Sequence, residues 1–129
     1  MEELNKYEQK LLKAWEEIYK KGQLTFWMML ALKDGPKHMA AIKDFIGTYT
    51  HDTIIADDQS VYRALRRYET ADMLTFSTAP GAGGPSRKVY ALSATGRQVL
   101  EAFNQRNITT VFYQKYIEQL IKQKGDTTI

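Results

Sequence analysis

The stretch from Asp57 to Leu92 constrains this chain most, because a helix pattern and two strand patterns follow one another in close succession. Asp57 is a good N-cap, since its carboxylate can accept the free N–H groups of a first helical turn. Beyond it, Val61, Leu65 and Tyr68 recur at steps of four and three and share one face. Ser60, Arg63 and Arg67 fall on another face, flanked by Gln59, Tyr62 and Arg66. Three arginines lie within five positions with no acid between them, so their guanidinium groups can fork onto phosphates or guanine edges. Leu74 to Thr78 alternates as a half-buried strand does, and Arg87 to Leu92 is its natural partner. The connection from Ala79 to Ser86, with Gly81, Gly83 and Gly84, is too long for a two-residue hairpin turn and forms a loop tip.

The rest of the chain supplies helices around this unit. Residues 2–20 place Leu4, Tyr7, Leu11, Trp15 and Ile18 on one face of a helix, with Lys20 and Lys21 at its negative end and Gly22 as C-cap. That stripe must be buried against something, and in so small a protein a second subunit is an available partner. Leu24 to Lys33 is apolar almost all round; Met, Leu and Ala favour a helix there, and Asp34-Gly35-Pro36 ends it. The next helix is expected over Lys37 to Ile46, with Met39, Ile42 and Ile46 on one face and Tyr49 continuing the phase. Thr50 to Ala56 reads as a loop with a brief strand at Thr53-Ile54-Ile55, because β-branched side chains favour the pleat. Ser93 caps a helix from Ala94 to Arg106, carrying Val99, Leu100 and Phe103. The β-branched run from Asn107 to Val111 weakens the helix pattern locally, so one long C-terminal helix is expected, with Asn107 as the place where it could break. The pattern then resumes with Phe112 or Tyr113 and continues through Tyr116, Ile117, Leu120 and Ile121 to Gly125, before a frayed tail. No repeat or linker divides the chain, so a single domain is expected over 1–129: an N-terminal helix (1–22), a core (23–93), and a C-terminal helix with its tail (94–129).

Several functions are excluded. The chain has no cysteine, which removes disulfides, thiolate metal sites and thiol nucleophiles together. His38 and His51 cannot share a helix face at a separation of 13 residues, so no metal site is expected. The glycine cluster opens a strand and lacks the Gly-Lys-Ser/Thr of a phosphate-binding loop. His51, Asp52 and Ser60 make no defensible triad, so neither an enzyme nor a cofactor is expected. The acidic start carries no secretory signal, and the longest apolar run, Phe26 to Leu32, is too short to span a bilayer. A net charge of +3 and a pI near 9.0 permit a nucleic-acid partner without demanding one, so placement of the basic residues matters more than their sum. Trp15, Trp27, Phe103, Phe112 and Tyr116 have two readings: core or dimer interface, which burial preferences favour, or the lining of an aromatic effector pocket.

An arginine-faced helix followed by a basic hairpin has the outline of a winged helix-turn-helix reading head. The residues go further. Gly83-Gly84-Pro85-Ser86-Arg87-Lys88-Val89-Tyr90-Ala91-Leu92-Ser93-Ala94-Thr95-Gly96 resembles the wing and following helix start of the PadR-like family of bacterial transcription regulators. Ser60-Val61-Tyr62-Arg63-Ala64-Leu65-Arg66-Arg67 resembles its recognition helix, and Leu32-Lys33-Asp34-Gly35-Pro36-Lys37-His38 the turn between its first two core helices. These pieces occur in order over residues 24–106. The resemblance implies a mainly α fold with a small β-hairpin and a homodimer built through the terminal helices. For some members it also implies a small-molecule pocket near the dimer interface. Departures are informative: Met39-Ala40 stand where the family usually has Gly-Tyr, so the tyrosine's backbone contact is not carried over. Arg63 replaces a frequent proline and adds a possible DNA contact. Asp72 stands where a helix-ending glycine is common, and Asp tolerates the left-handed conformation better than most residues.

The expectation is therefore a cytoplasmic, homodimeric, sequence-specific DNA-binding repressor acting at an inverted repeat and relieved by a small aromatic or apolar effector. Lys37, His38, Gln59, Ser60, Tyr62, Arg63, Arg66, Arg67, Arg87 and Lys88 are the candidate DNA contacts. The alternatives are a winged helix that binds an acidic protein partner, and a small-molecule sensor with weak DNA affinity.

Overall fold

The computed structural model describes residues 3–81 and 83–123. Helix α1 spans Lys6–Lys20, α2 Gln23–Asp34, α3 Met39–Tyr49 and α4 Asp58–Thr70. The antiparallel strands β1 (Leu74–Ala79) and β2 (Arg87–Leu92) follow, with Leu74 opposite Leu92 and Ala79 opposite Arg87. Helix α5 (Ala94–Asn104) continues through a π-helical turn, Gln105–Thr109, into the short α6 (Thr110–Phe112), and α7 covers Lys115–Lys122. This is a mainly helical winged-helix fold, as expected. Among the described residues no helix is long and apolar enough to cross a membrane.

The core sits where α2, α3, α4, α5 and the hairpin meet. Met28, Leu32, Ile42, Ile46, Val61 and Leu65 are fully buried, with Leu74, Tyr90, Leu92 and Leu100 closing the cluster. Each such side chain contributes roughly 1.5–3 kcal/mol by leaving water. Helix α2 buries Met28, Met29, Ala31 and Leu32, which explains its lack of a clear apolar face in the sequence. The hairpin is held at both ends. Lys37 N–H donates to the Tyr90 carbonyl (3.0 Å) and Tyr90 N–H to that of Lys37 (2.8 Å), so the α2–α3 connection adds a third extended segment beside β2. At the other end α5 passes so close to the α4–β1 turn that a Cβ on Gly96 would lie 2.1 Å from the Met73 carbonyl oxygen. Asp72 takes the left-handed conformation expected of it, with φ 62°.

Several boundaries differ from expectation, each for a local reason. Helix α1 begins at Lys6, because Asn5 and Glu8 form a capping box with reciprocal bonds of 2.8 and 2.9 Å. Gly22 does not end α1 in a left-handed cap; its φ is −96° and it is the N-cap of α2, which starts almost at once. Helix α3 begins at Met39 because Lys37 is held extended by Tyr90 and His38 is the N-cap, its Nδ1 accepting from Ala41 N–H at 3.2 Å. The brief strand expected at Thr53–Ile55 does not form. The Thr50 hydroxyl bonds the Ile46 carbonyl and accepts from Ile54 N–H, and His51 and Asp52 turn the chain with φ of 52° and 60°. Near Asn107 the chain does not break but passes through a π-helical turn, in which the Asn107 amide donates to the Phe103 carbonyl; the expected single long C-terminal helix is interrupted further on, at Tyr113–Gln114. The expected end at Gly125 and the tail beyond it lie outside the described residues.

Candidate nucleic-acid interface

Helix α4 owes its position to two opposite properties. Val61 and Leu65 are fully buried, which fixes its rotation and turns Gln59, Arg63, Arg66 and Arg67 to solvent. Its first turn is tied by Asp57, whose carboxylate accepts from both Ser60 N–H and the Ser60 hydroxyl at 2.8 Å. Those two bonds, the backbone one first, hold the Asp57 carboxyl below its ordinary range. Ser60 is thereby committed to the cap and is half-buried, unlike the arginines. Tyr62 is 48% exposed, and the Arg66 guanidinium lies 5.8 Å from the centre of its ring, which pre-orients that cation.

The wing contributes unequally. Arg87 is exposed, and its Nη1 lies 3.1 Å from His38 Nε2 at the start of α3. With Nδ1 accepting from Ala41, a neutral imidazole carries its proton on Nε2, so both partners offer N–H groups at one spot. An anionic oxygen beside them would satisfy both. Lys88 faces the other way: its Nζ sits 4.0 Å from the Phe76 ring centre and 3.8 Å from Glu69, bracing the wing against α4. Beneath it Tyr90 is buried, and burial, then the Glu69 charge, then Tyr62 push its hydroxyl pKa up. Lys37, unlike Arg87 and Lys88, is turned inward. Its ammonium donates to the Ala31 carbonyl and Asp34 Oδ2, each at 2.8 Å, closing the C-terminus of α2. A shallow pocket of about 350 Å³ lies between helix and wing, lined by His38, Met39, Ala40, Tyr62, Arg87 and Lys88.

Of the ten sequence candidates, then, Gln59, Tyr62, Arg63, Arg66, Arg67, Arg87 and Lys88 present exposed side chains, and His38 adjoins Arg87. Lys37, Ser60 and Lys88 hold protein groups. One polar pair escaped sequence reasoning: Lys43 on α3 donates to Asp58 Oδ1 on α4, a contact between residues too far apart for helix periodicity to link.

The aromatic candidates do not converge within one chain. Trp15 is 72% and Tyr116 69% exposed, Phe112 lies on the surface, and Trp27 is half-buried edge-on to Phe26. Phe103 instead lines an apolar pocket of about 250 Å³ with Phe26, Met29, Tyr68, Met73 and Leu100. Phe26 was not singled out from sequence, because the all-round apolar character of α2 gives no phase from which to read its outward side.

Comparison with known proteins places this geometry. Residues 28–102, more than half of the chain, match the Transcriptional regulator PadR-like family. A PadR family transcriptional regulator from Eggerthella lenta is 19% identical, with 93% of this chain and 100% of that one covered and a TM-score of 0.65. For a PadR-like regulator from Bacillus cereus the figures are 18%, 81%, 97% and 0.63. For Bacillus subtilis PadR, solved in complex with operator DNA, they are 18%, 85%, 53% and 0.56. At these identities the likeness is one of fold. The comparison with curated proteins gives no significant match. The matched segment runs from the core helix α2 through α4 and the β1–β2 hairpin into α5, and on that ground the chain belongs to the PadR-like family of transcriptional regulators, proteins that are not enzymes.

Proposed function

We propose that the protein is a homodimeric, sequence-specific DNA-binding repressor. The observation that carries this reading is the solvent face of α4, where Gln59, Arg63, Arg66 and Arg67 stand clear of the core beside Arg87 of the wing. Arg63 and Arg67 suit guanine edges or phosphates, Gln59 suits adenine, and Arg87 with His38 suits a phosphate. The Bacillus subtilis relative is solved with operator DNA, which supports the same use of the fold here. Helices α1 and α7 support the dimer. Neither buries a residue in the single chain, while Tyr7, Leu11, Trp15 and Ile18 of α1 and Tyr116, Leu120 and Ile121 of α7 lie exposed. Two-fold symmetry then calls for an inverted repeat with half-sites roughly 34 Å apart, or a multiple of that. The pocket around Phe26 and Phe103 also touches Tyr68 of α4, and it fits a small apolar effector that would shift the dimer away from its DNA-bound form.

A mobility-shift titration against the promoter of the protein's own operon tests the reading. A sequence-selective shift that weakens steeply with salt is expected. Arg67→Ala should weaken it without changing thermal stability. Salt-insensitive or unselective binding would remove the repressor reading, and a large loss of stability in Arg67→Ala would show that this side chain faces the core.

A further inference from the structure

The leading end of the recognition helix carries the wrong sign for a DNA backbone. Asp57 and Asp58 open α4, and their carboxylates oppose the positive potential that a helix N-terminus otherwise directs at phosphates. Asp57 is consumed by the cap, but the Asp58 side chain is 69% exposed. Its Oδ1 accepts from Lys43, which leans across from α3 and restrains the carboxylate. The arginines begin only one turn further on, at Arg63.

We infer that Asp58 is a specificity-determining residue that selects a cytosine in each half-site. This inference rests on the DNA-binding reading above. In a major groove walled by phosphates, a carboxylate at the tip of the helix is repelled by every sequence alike. Only a base that presents an amino group offsets that repulsion. Cytosine offers N4–H₂ and guanine offers only acceptors at this edge, while thymine offers an acceptor and a methyl group. Adenine offers N6–H₂ beside the N7 acceptor, which a carboxylate cannot satisfy and an amide can. Asp58 therefore lowers affinity for most DNA and spares the sites that carry cytosine opposite it. The Lys43 ion pair takes up Oδ1 and holds the carboxylate in one place.

Selection of bound sequences from a randomised duplex library, run in parallel for the wild type, Asp58→Asn and Asp58→Ala, tests this. The wild type should prefer cytosine at one position of each half-site, by about tenfold or more over guanine. Asp58→Asn should move that preference to adenine. Asp58→Ala should level the position and raise affinity for unrelated DNA several-fold. Thermal melts of both variants verify folding, and because Asp58 is exposed on a first turn the asparagine variant keeps the helix start. Unchanged base preferences in both variants, or weaker binding of Asp58→Ala to unrelated DNA, overturns the inference while leaving the regulator reading intact. A wild type that selects no sequence overturns both.

Discussion

Substituting Gly96 by alanine tests whether the wing and the C-terminal helix are docked as described. The added Cβ would sit 2.1 Å from the Met73 carbonyl oxygen and 3.0 Å from its carbon, so α5 or the turn must retreat by roughly an ångström. Three hydrogen bonds converge there: Ser93 N–H to the Met73 carbonyl (3.0 Å), the Ser93 hydroxyl to the Asp72 carbonyl (2.7 Å), and Gly96 N–H to the Ser93 hydroxyl (2.9 Å). Losing one or two of them costs about 0.5–1.5 kcal/mol each. Strain from overpacking adds about 1–3 kcal/mol. Alanine returns about 1 kcal/mol through its helix propensity. At the middle of these ranges the net destabilisation is about 2–3 kcal/mol, a fall in melting temperature of roughly 6–12 °C for a chain of this size. Urea and thermal unfolding at one fixed protein concentration measure it. Gly22→Ala is the control, since nothing lies within 4 Å of a Cβ at that position, and it should stay within about 1 kcal/mol of the wild type, the cost of alanine at an N-cap. If the two variants are equally stable, α5 does not approach the Met73 turn closely and the docking of the C-terminal helix must be redrawn.

Three further outcomes are expected. The Asp57 carboxyl is depressed below 3.8 in the folded chain, so its contribution is fully present above that value and disappears as pH falls through the folded pKa; Asp57→Asn should flatten that acid limb in a pH series of melts. Tyr90 is raised above 10.0, so its contribution is fully present below pH 10 and lost as pH rises beyond it. Tyr90→Phe should abolish that alkaline limb and Glu69→Gln should move it closer to pH 10. Trp15→Glu on the exposed face of α1 should shift the protein from dimer towards monomer in sedimentation equilibrium; an unchanged mass would exclude this face from self-association.

Much of the architecture could be read from the chain alone, because it depends on short-range rules. The spacing of Val61, Leu65 and Tyr68 set the rotation of α4, and Asp57, Ser93 and Asp72 each behave as their local chemistry dictates. The exposed arginine face follows from that rotation, since whatever turns Leu65 inward turns Arg63 and Arg67 outward. Tertiary structure decided what those rules do not reach. Lys37 and Lys88 look as free in the sequence as Arg87, yet one closes α2 and the other rests on Phe76 and Glu69, because partners distant in the chain, or from a helix end, fold within reach of a long flexible ammonium. The same holds for Lys43 with Asp58, and for Phe26, whose outward side on an all-apolar helix is defined only by where α5 packs. Periodicity records which face of an element is buried; which polar groups meet across two elements is settled only when those elements pack.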